Sequence, residues 1–134
     1  MSRASEIVAL AAEASGLPRA RIDRADLLGS AGLDGKAASR FLRIYAMRFR
    51  VDLRGYRWWF HHRDHGVLAM PLVALDQDGN EIRIPLSAEM LAGFAERGRW
   101  EVDYPPHRLG LRSAWWAVLV FGIVGLVLVY AIVL

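Results

Sequence analysis

The spacing of apolar residues changes along the chain and predicts its secondary structure. Apolar residues at helical spacing predict three helices, at about 3–15, 35–50 and 88–97. Two short apolar runs on either side of Asp78-Gly79 predict a β-hairpin over about 72–86. The fold class that follows is α+β, mainly α: a helical bundle with a small hairpin and a further helix.

Residues that begin and end helices stand at the limits of these segments. Ser2 or Ser5, Asp34 and Ser87 are expected to cap the three helices at their start, because their side-chain oxygens accept from free backbone N–H groups. The connection at 17–33 is predicted to be irregular but held to the core by its apolar residues, which are Ile22, Leu27, Leu28 and Leu33. Trp100 is expected to fold back onto the last of these helices.

The end of the chain is continuously apolar. Residues 114–134 carry no charge and, as a helix, would cover about 31 Å, the thickness of a bilayer's hydrocarbon core. We therefore predict a transmembrane helix, since only a helix satisfies its own backbone groups in lipid. Basic residues before it and aromatic residues at its ends mark the expected membrane interfaces: Arg108, Arg112, Trp115, Trp116 and Tyr130.

These patterns divide the chain into a soluble domain at 1–102, a linker at 103–113 and the apolar helix at 114–134. The basic flank predicts that the domain lies in the cytoplasm. Glu6 and Glu13 interrupt the first apolar run, which argues against a secretory signal. The absence of cysteine excludes disulfides and thiolate chemistry.

The soluble part resembles a known family. Gly32-Leu33-Asp34-Gly35, an amphipathic helix and then Phe49-Arg50-Val51-Asp52-Leu53 resemble the acyl carrier protein signature, which is Gly-x-Asp-Ser, a helix and Phe-x-x-Asp/Glu-Ile/Leu. They are more similar still to a group of bacterial proteins with an acyl-carrier-like fold in which Asp-Gly replaces Asp-Ser. In that group a Leu…Gly-x-Trp segment follows, here 86–100. The resemblance covers about residues 5–102.

This resemblance implies a carrier fold without the carrier's chemistry. Gly35 occupies the position of the serine that carries phosphopantetheine, so no prosthetic arm can attach there and no cofactor is expected. A true carrier modified at Ser30 or Ser39 remains an alternative, although either site needs a shifted register.

The helix after Gly35 is basic, whereas the corresponding helix of carriers is typically acidic. Its charged residues are Lys36, Arg40, Arg43, Arg48 and Arg50. One interpretation is a solvated face beside anionic membrane lipids, because residues 1–66 hold twelve Lys/Arg against seven Asp/Glu. The other is a docking face for an acidic or membrane-embedded protein. Nucleic acid is not predicted as a partner, because the net charge is only +3 and no nucleic-acid motif is present. The oligomeric state is not predicted.

A histidine cluster offers the alternative of a metal-dependent enzyme. His61, His62 and His65 lie close in sequence, and Asp64 could add an oxygen ligand. The pattern lacks HExxH, and adjacent histidines point in different directions, so no metal site is predicted. A calcium loop at 76–87 is rejected because Ser87 stands where a bidentate Glu is needed.

Together, these observations predict a membrane-anchored, non-enzymatic, acyl-carrier-like module. It would act as a docking or adaptor subunit for a cytoplasmic or membrane partner, with lipid metabolism as a candidate pathway. The predicted location is the bacterial inner membrane, with a single crossing.

Overall fold

The computed structural model describes residues 2–62, 72–111 and 113–134. Within these ranges the protein is α+β and mainly helical, with a two-stranded antiparallel sheet. Its elements in chain order are α1 (Arg3–Ser15), α2 (Leu27–Ala31), α3 (Gly35–Phe49), β1 (Leu72–Leu75), α4 (Ala88–Arg97), β2 (Arg108–Leu111) and α5 (Ser113–Val133). Short 3₁₀ turns lie at Arg19–Arg21 and Trp58–Phe60.

The ends of α1 and α4 follow from local chemistry. Ser2 at the start of α1 and Ser87 at the start of α4 accept hydrogen bonds from first-turn backbone N–H groups, at 3.1 and 3.0 Å. Both helices stop at a glycine in the left-handed conformation, Gly16 with φ 73° and Gly98 with φ 76°. The predictions of helices at 3–15 and 88–97 are confirmed.

Helix α3 is also present as predicted, one residue shorter at its end. The Asp34 side chain accepts from the Gly35 N–H at 3.0 Å, and Arg50 ends the helix with φ 56°. Its buried residues recur every three or four positions: Ala38, Phe41, Leu42 and Tyr45. The opposite side of the helix is left to solvent.

The connection between α1 and α3 is more ordered than predicted. It contains α2, whose first turn is capped by Asp26 accepting from the Gly29 N–H at 3.1 Å. The predicted apolar anchors are all buried: Ile22, Leu27, Leu28 and Leu33. A helix of five residues is too short to produce a periodic signal, which is why the pattern missed it.

One apolar core joins α1, α2, α3 and α4. Tyr45 of α3 donates its hydroxyl to the carbonyl oxygen of Leu91 in α4 and is fully buried. Trp100 folds back as predicted and packs on Phe94 with a ring-centroid distance of 4.9 Å. No described residue of α5 belongs to this core.

The predicted hairpin is wrong in its second strand. The chain does turn at Gly79, with φ 82°, and the Ile82 N–H donates to the Ala74 carbonyl at 2.8 Å. Pro85 has no N–H and cannot continue a ladder. The strand that pairs with β1 is instead β2, from within the predicted linker, with Leu72 opposite Leu111.

Residues 82–86 bind other parts of the domain instead. The Ile84 N–H donates to the Phe60 carbonyl at 2.8 Å, and the Leu86 carbonyl accepts from the Leu27 N–H at 2.9 Å. The side chains of Arg24 and Glu89 form an ion pair nearby at 2.7 Å, 65 residues apart in the chain. This segment therefore ties the two halves of the domain together.

The prediction of a transmembrane helix at 114–134 is contradicted. Among the residues that the structure describes, no helix is both long enough and apolar enough to cross a membrane. The predicted single crossing of the bacterial inner membrane loses its basis with it.

Candidate partner-binding surface

The exposed side of α3 is basic, and its charge is not balanced locally. The buried residues of α3 lie on one side of the helix, and the basic residues of this segment lie on the surface: Lys36, Arg40, Arg43, Arg48 and Arg50. No acidic residue occurs in α3. The ion pairs in the described ranges use other arginines, at positions 24, 54, 83, 97 and 99. We call this side of α3 the basic face.

Two large apolar side chains are exposed among these charges. Met47 is 75% exposed and Ile44 is 38% exposed, both on α3. An unbranched thioether adapts to irregular partners and is common at protein-binding surfaces. The exposure of these two residues was not predicted from the sequence, because periodicity alone does not separate a core position from a neighbouring exposed one.

Gly35, the first residue of α3, has a backbone conformation that favours glycine. Its φ is 54°, in the left-handed region that residues with a Cβ enter at a cost of about 1–2 kcal/mol. The Asp34 side chain accepts from its N–H. A glycine at this position is therefore a backbone requirement of the turn into α3.

The two alternative serines are placed differently. The Ser30 hydroxyl donates to the Asp26 carbonyl at 2.6 Å and accepts from the Asp23 N–H at 2.9 Å, so it holds the α2 turn together. Ser39 lies half-buried within α3. Neither stands at the entry to the helix, where Gly35 lies.

His61 is a buried structural residue. It is 3% exposed, and both ring nitrogens have protein partners: Nδ1 lies 2.8 Å from the Ile84 carbonyl oxygen, and Nε2 lies 2.8 Å from the Tyr104 hydroxyl. A metal would have to displace one of these bonds. The sequence could not reveal this, because Ile84 and Tyr104 are far from His61 along the chain.

The partners of Tyr104 fix the tautomer of His61. The Tyr104 oxygen accepts from the Trp100 Nε1–H at 2.9 Å and from the Arg57 N–H at 3.2 Å, so its own proton is donated to His61 Nε2. His61 must then be neutral with its proton on Nδ1, which donates to Ile84. Burial is the main cause that lowers the pKa of His61 to about 4; the Ile84 hydrogen bond opposes this shift, and the nearby His62 and Arg83 contribute to it.

The rest of the histidine cluster does not assemble a metal site in the described residues. His62 Nε2 is hydrogen-bonded to the Tyr56 hydroxyl, whereas His65 and Asp64 lie outside the described residues. Over 2–62, 72–111 and 113–134, no group of three or more His, Asp or Glu side chains is placed to hold a metal ion.

A cleft of about 580 Å³ lies between the start of α3 and the histidines. Its charged lining residues are Asp34, Glu81 and Arg83. Asp34 caps α3, and Arg83 is paired with Asp26 at 3.2 Å. Asp34 and Arg83 therefore serve the fold.

Of the residues predicted to mark the membrane interfaces, the structure describes the side chains of Arg108 and Tyr130. Arg108 is the first residue of β2, and Tyr130 is 67% exposed near the end of α5. Arg112 lies outside the described residues, as do the side chains of Trp115 and Trp116.

Comparison with known proteins adds no relative: no family model, no curated protein and no solved structure matches this chain. The resemblance to acyl-carrier-like proteins remains a prediction from the motifs of residues 32–53.

Proposed function

We propose that this protein is a non-enzymatic adaptor with an acyl-carrier-like domain, and that it binds an acidic protein partner through the basic face of α3. The observation that carries this proposal is the exposure of five basic residues on one segment without an acidic neighbour in α3. Unbalanced charge of one sign attracts the opposite sign and speeds its association.

The absence of covalent cargo belongs to the same proposal. The left-handed backbone at Gly35 disfavours a serine there, and the Ser30 hydroxyl is engaged in the α2 turn. Phosphopantetheine needs an accessible hydroxyl. After co-expression with a phosphopantetheinyl transferase, intact mass spectrometry should return the unmodified mass. An added phosphopantetheine mass at Ser30 or Ser39 would make the protein a carrier.

The enzyme alternative is less well supported by the described residues of the cleft, because several of its polar groups already have structural roles. Both nitrogens of His61 are hydrogen-bonded, and two charged residues of the adjacent cleft serve as cap or ion pair. A poised general base or nucleophile is what an active site of this kind would require. We therefore favour binding over catalysis.

Photo-crosslinking in the producing cells tests the adaptor proposal. We expect p-benzoylphenylalanine at position 47 to form an adduct with one protein, whose crosslinked peptide is acidic. The same reagent at position 20, which is exposed on a 3₁₀ turn away from α3, should not form it.

Charge variants complete this test. The double variant Arg40→Glu and Arg43→Glu should lose the adduct, whereas Arg19→Glu with Arg21→Glu makes the same change in net charge elsewhere and should keep it. An adduct that survives reversal of the α3 charges, or one formed equally from position 20, would refute the proposal. Crosslinking to nucleic acid would do so too.

A further inference from the structure

The exposed residues of α3 are regularly spaced along the helix. Lys36 and Arg43 are seven residues apart, and Arg50 follows at the same interval at the helix end. Next to this row lie four exposed positions at alternating spacings of three and four: Ala37, Arg40, Ile44 and Met47. Such spacing forms a straight stripe on a helix and is the pattern by which one helix packs along another. We call the four positions the α3 seam and the three basic residues the basic row.

We infer that the α3 seam receives one amphipathic helix of the partner, whose apolar stripe covers Ile44 and Met47 and whose acidic residues face the basic row. This inference rests on the proposed adaptor function and specifies the chemistry of its partner. The seam from Ala37 to Met47 is about 15 Å long, so the partner needs about three helical turns.

The two kinds of residue in the surface have different effects on binding. Ile44 and Met47 are exposed to solvent in the free protein. An apolar helix face that covers them would remove both side chains from water, and burying each such side chain favours association. The basic row decides which helix is accepted, because charges beside a helical seam select partner and orientation. Arg40, inside the seam, adds a position that favours a facing carboxylate.

Charge argues against a second copy of α3 as the occupant. Two α3 helices would place one basic row beside another, and α3 has no acidic residue to relieve the repulsion. The favoured occupant is therefore a helix of a different, acidic sequence.

The first test uses the full chain and two synthetic peptides of identical composition, each about three heptads long. In the seam peptide, Leu occupies the a and d positions and Glu the e and g positions. In the isomer, the same number of Glu residues lies on the opposite side of the helix, at the b and c positions. We expect the seam peptide to bind at least about tenfold more tightly by fluorescence anisotropy, with affinity that falls as salt rises.

The two peptides separate this inference from the proposal on which it rests. Equal binding would mean that charge alone drives docking, which would overturn the seam while leaving an acidic partner possible. Failure of both peptides, with the crosslink at position 47 still formed, would also overturn the seam alone.

Protein variants identify the contributing residues. Met47→Gln keeps the length and helix propensity of the side chain but removes its apolar end, and should weaken the seam peptide about tenfold. Arg43→Glu should weaken it at least as much, whereas Arg19→Glu, with the same charge change on another element, should not. Circular dichroism confirms that each variant keeps its helices. Wild-type affinity in the Met47→Gln variant would overturn the inference.

Discussion

Lowering the pH should destabilise the folded protein through His61 at pH values above those at which carboxylates titrate, because the unfolded chain takes up a proton at this residue and the folded chain does not. A protonated ring would have to donate from Nε2 towards Tyr104, whose oxygen already accepts from Trp100 and Arg57. Burial opposes the charge as well, and lowers the pKa of His61 to about 4 from 6.5. Lowering the pH from 7 to 5 should therefore favour the unfolded chain, in which His61 can take up a proton.

The sign and size of the effect follow from linkage between protonation and folding. Below pH 6.5 the unfolded chain binds a proton at His61 that the folded chain does not take until about pH 4, so stability falls as the pH falls through this window. At about 1.4 kcal/mol per unit of pKa difference, the loss is about 2 kcal/mol at pH 5 and about 3 kcal/mol below pH 4.

Urea denaturation of the full chain at pH 7, 6 and 5 measures this loss. Mild detergent should be present throughout, because large apolar side chains of α5 are exposed. The window lies above the ordinary pKa of aspartate and glutamate, so their contribution is small there. Asp52, Glu89 and Glu101 have pKa values lowered by neighbouring arginines and titrate lower still.

A non-titrating variant gives the control. His61→Asn keeps a donor near the Ile84 carbonyl and should be less stable than wild type at pH 7, but its free energy of unfolding should change much less between pH 7 and pH 5. The reasoning is refuted if wild type keeps its full stability at pH 5, or if the variant loses stability in parallel with it.

Two further substitutions test the fold around the basic face by thermal or urea unfolding. Gly35→Ala should cost about 1 kcal/mol because its φ is 54°, whereas Gly93→Ala, the same change inside α4, should be neutral or stabilising because only the movable end of Arg97 lies near the added methyl. Equal effects of the two would contradict the left-handed backbone at Gly35. Tyr45→Phe should cost about 1 kcal/mol, because it removes the buried hydroxyl that donates to Leu91. Tyr130→Phe makes the same change at an exposed position of α5 and should leave the stability unchanged. A Tyr45→Phe variant as stable as wild type would exclude a contribution from this bond.

Structural features that are determined by residues close together in the sequence could be predicted, whereas features that depend on distant residues could not. The limits of α1 and α4 follow from Ser2, Ser87 and the glycines that end them, all within a turn of the helix. The pairing of β1 with β2 could not be predicted, because the turn at Gly79 favoured a nearer partner and only Pro85 argued against it.

The same distinction holds for the candidate sites. The basic face of α3 could be predicted, because the charges of a helix follow directly from its sequence. The role of His61 was not, because its environment is made by Ile84 and Tyr104. The exposure of Met47 depended on which side of α3 the core would take, which the packing of Tyr45 against α4 decides.

The hydrogen bond between Leu27 and Leu86 has a consequence for how the chain folds. Together with the ion pair of Arg24 and Glu89, 65 residues apart, it closes most of the domain into one long loop. Closing such a loop costs chain entropy before it gains contacts, so folding should be slow for a small helical protein. The first two long helices should therefore gain little stability while the ribosome is still adding residues 60–80. The core becomes complete only after α4 has emerged.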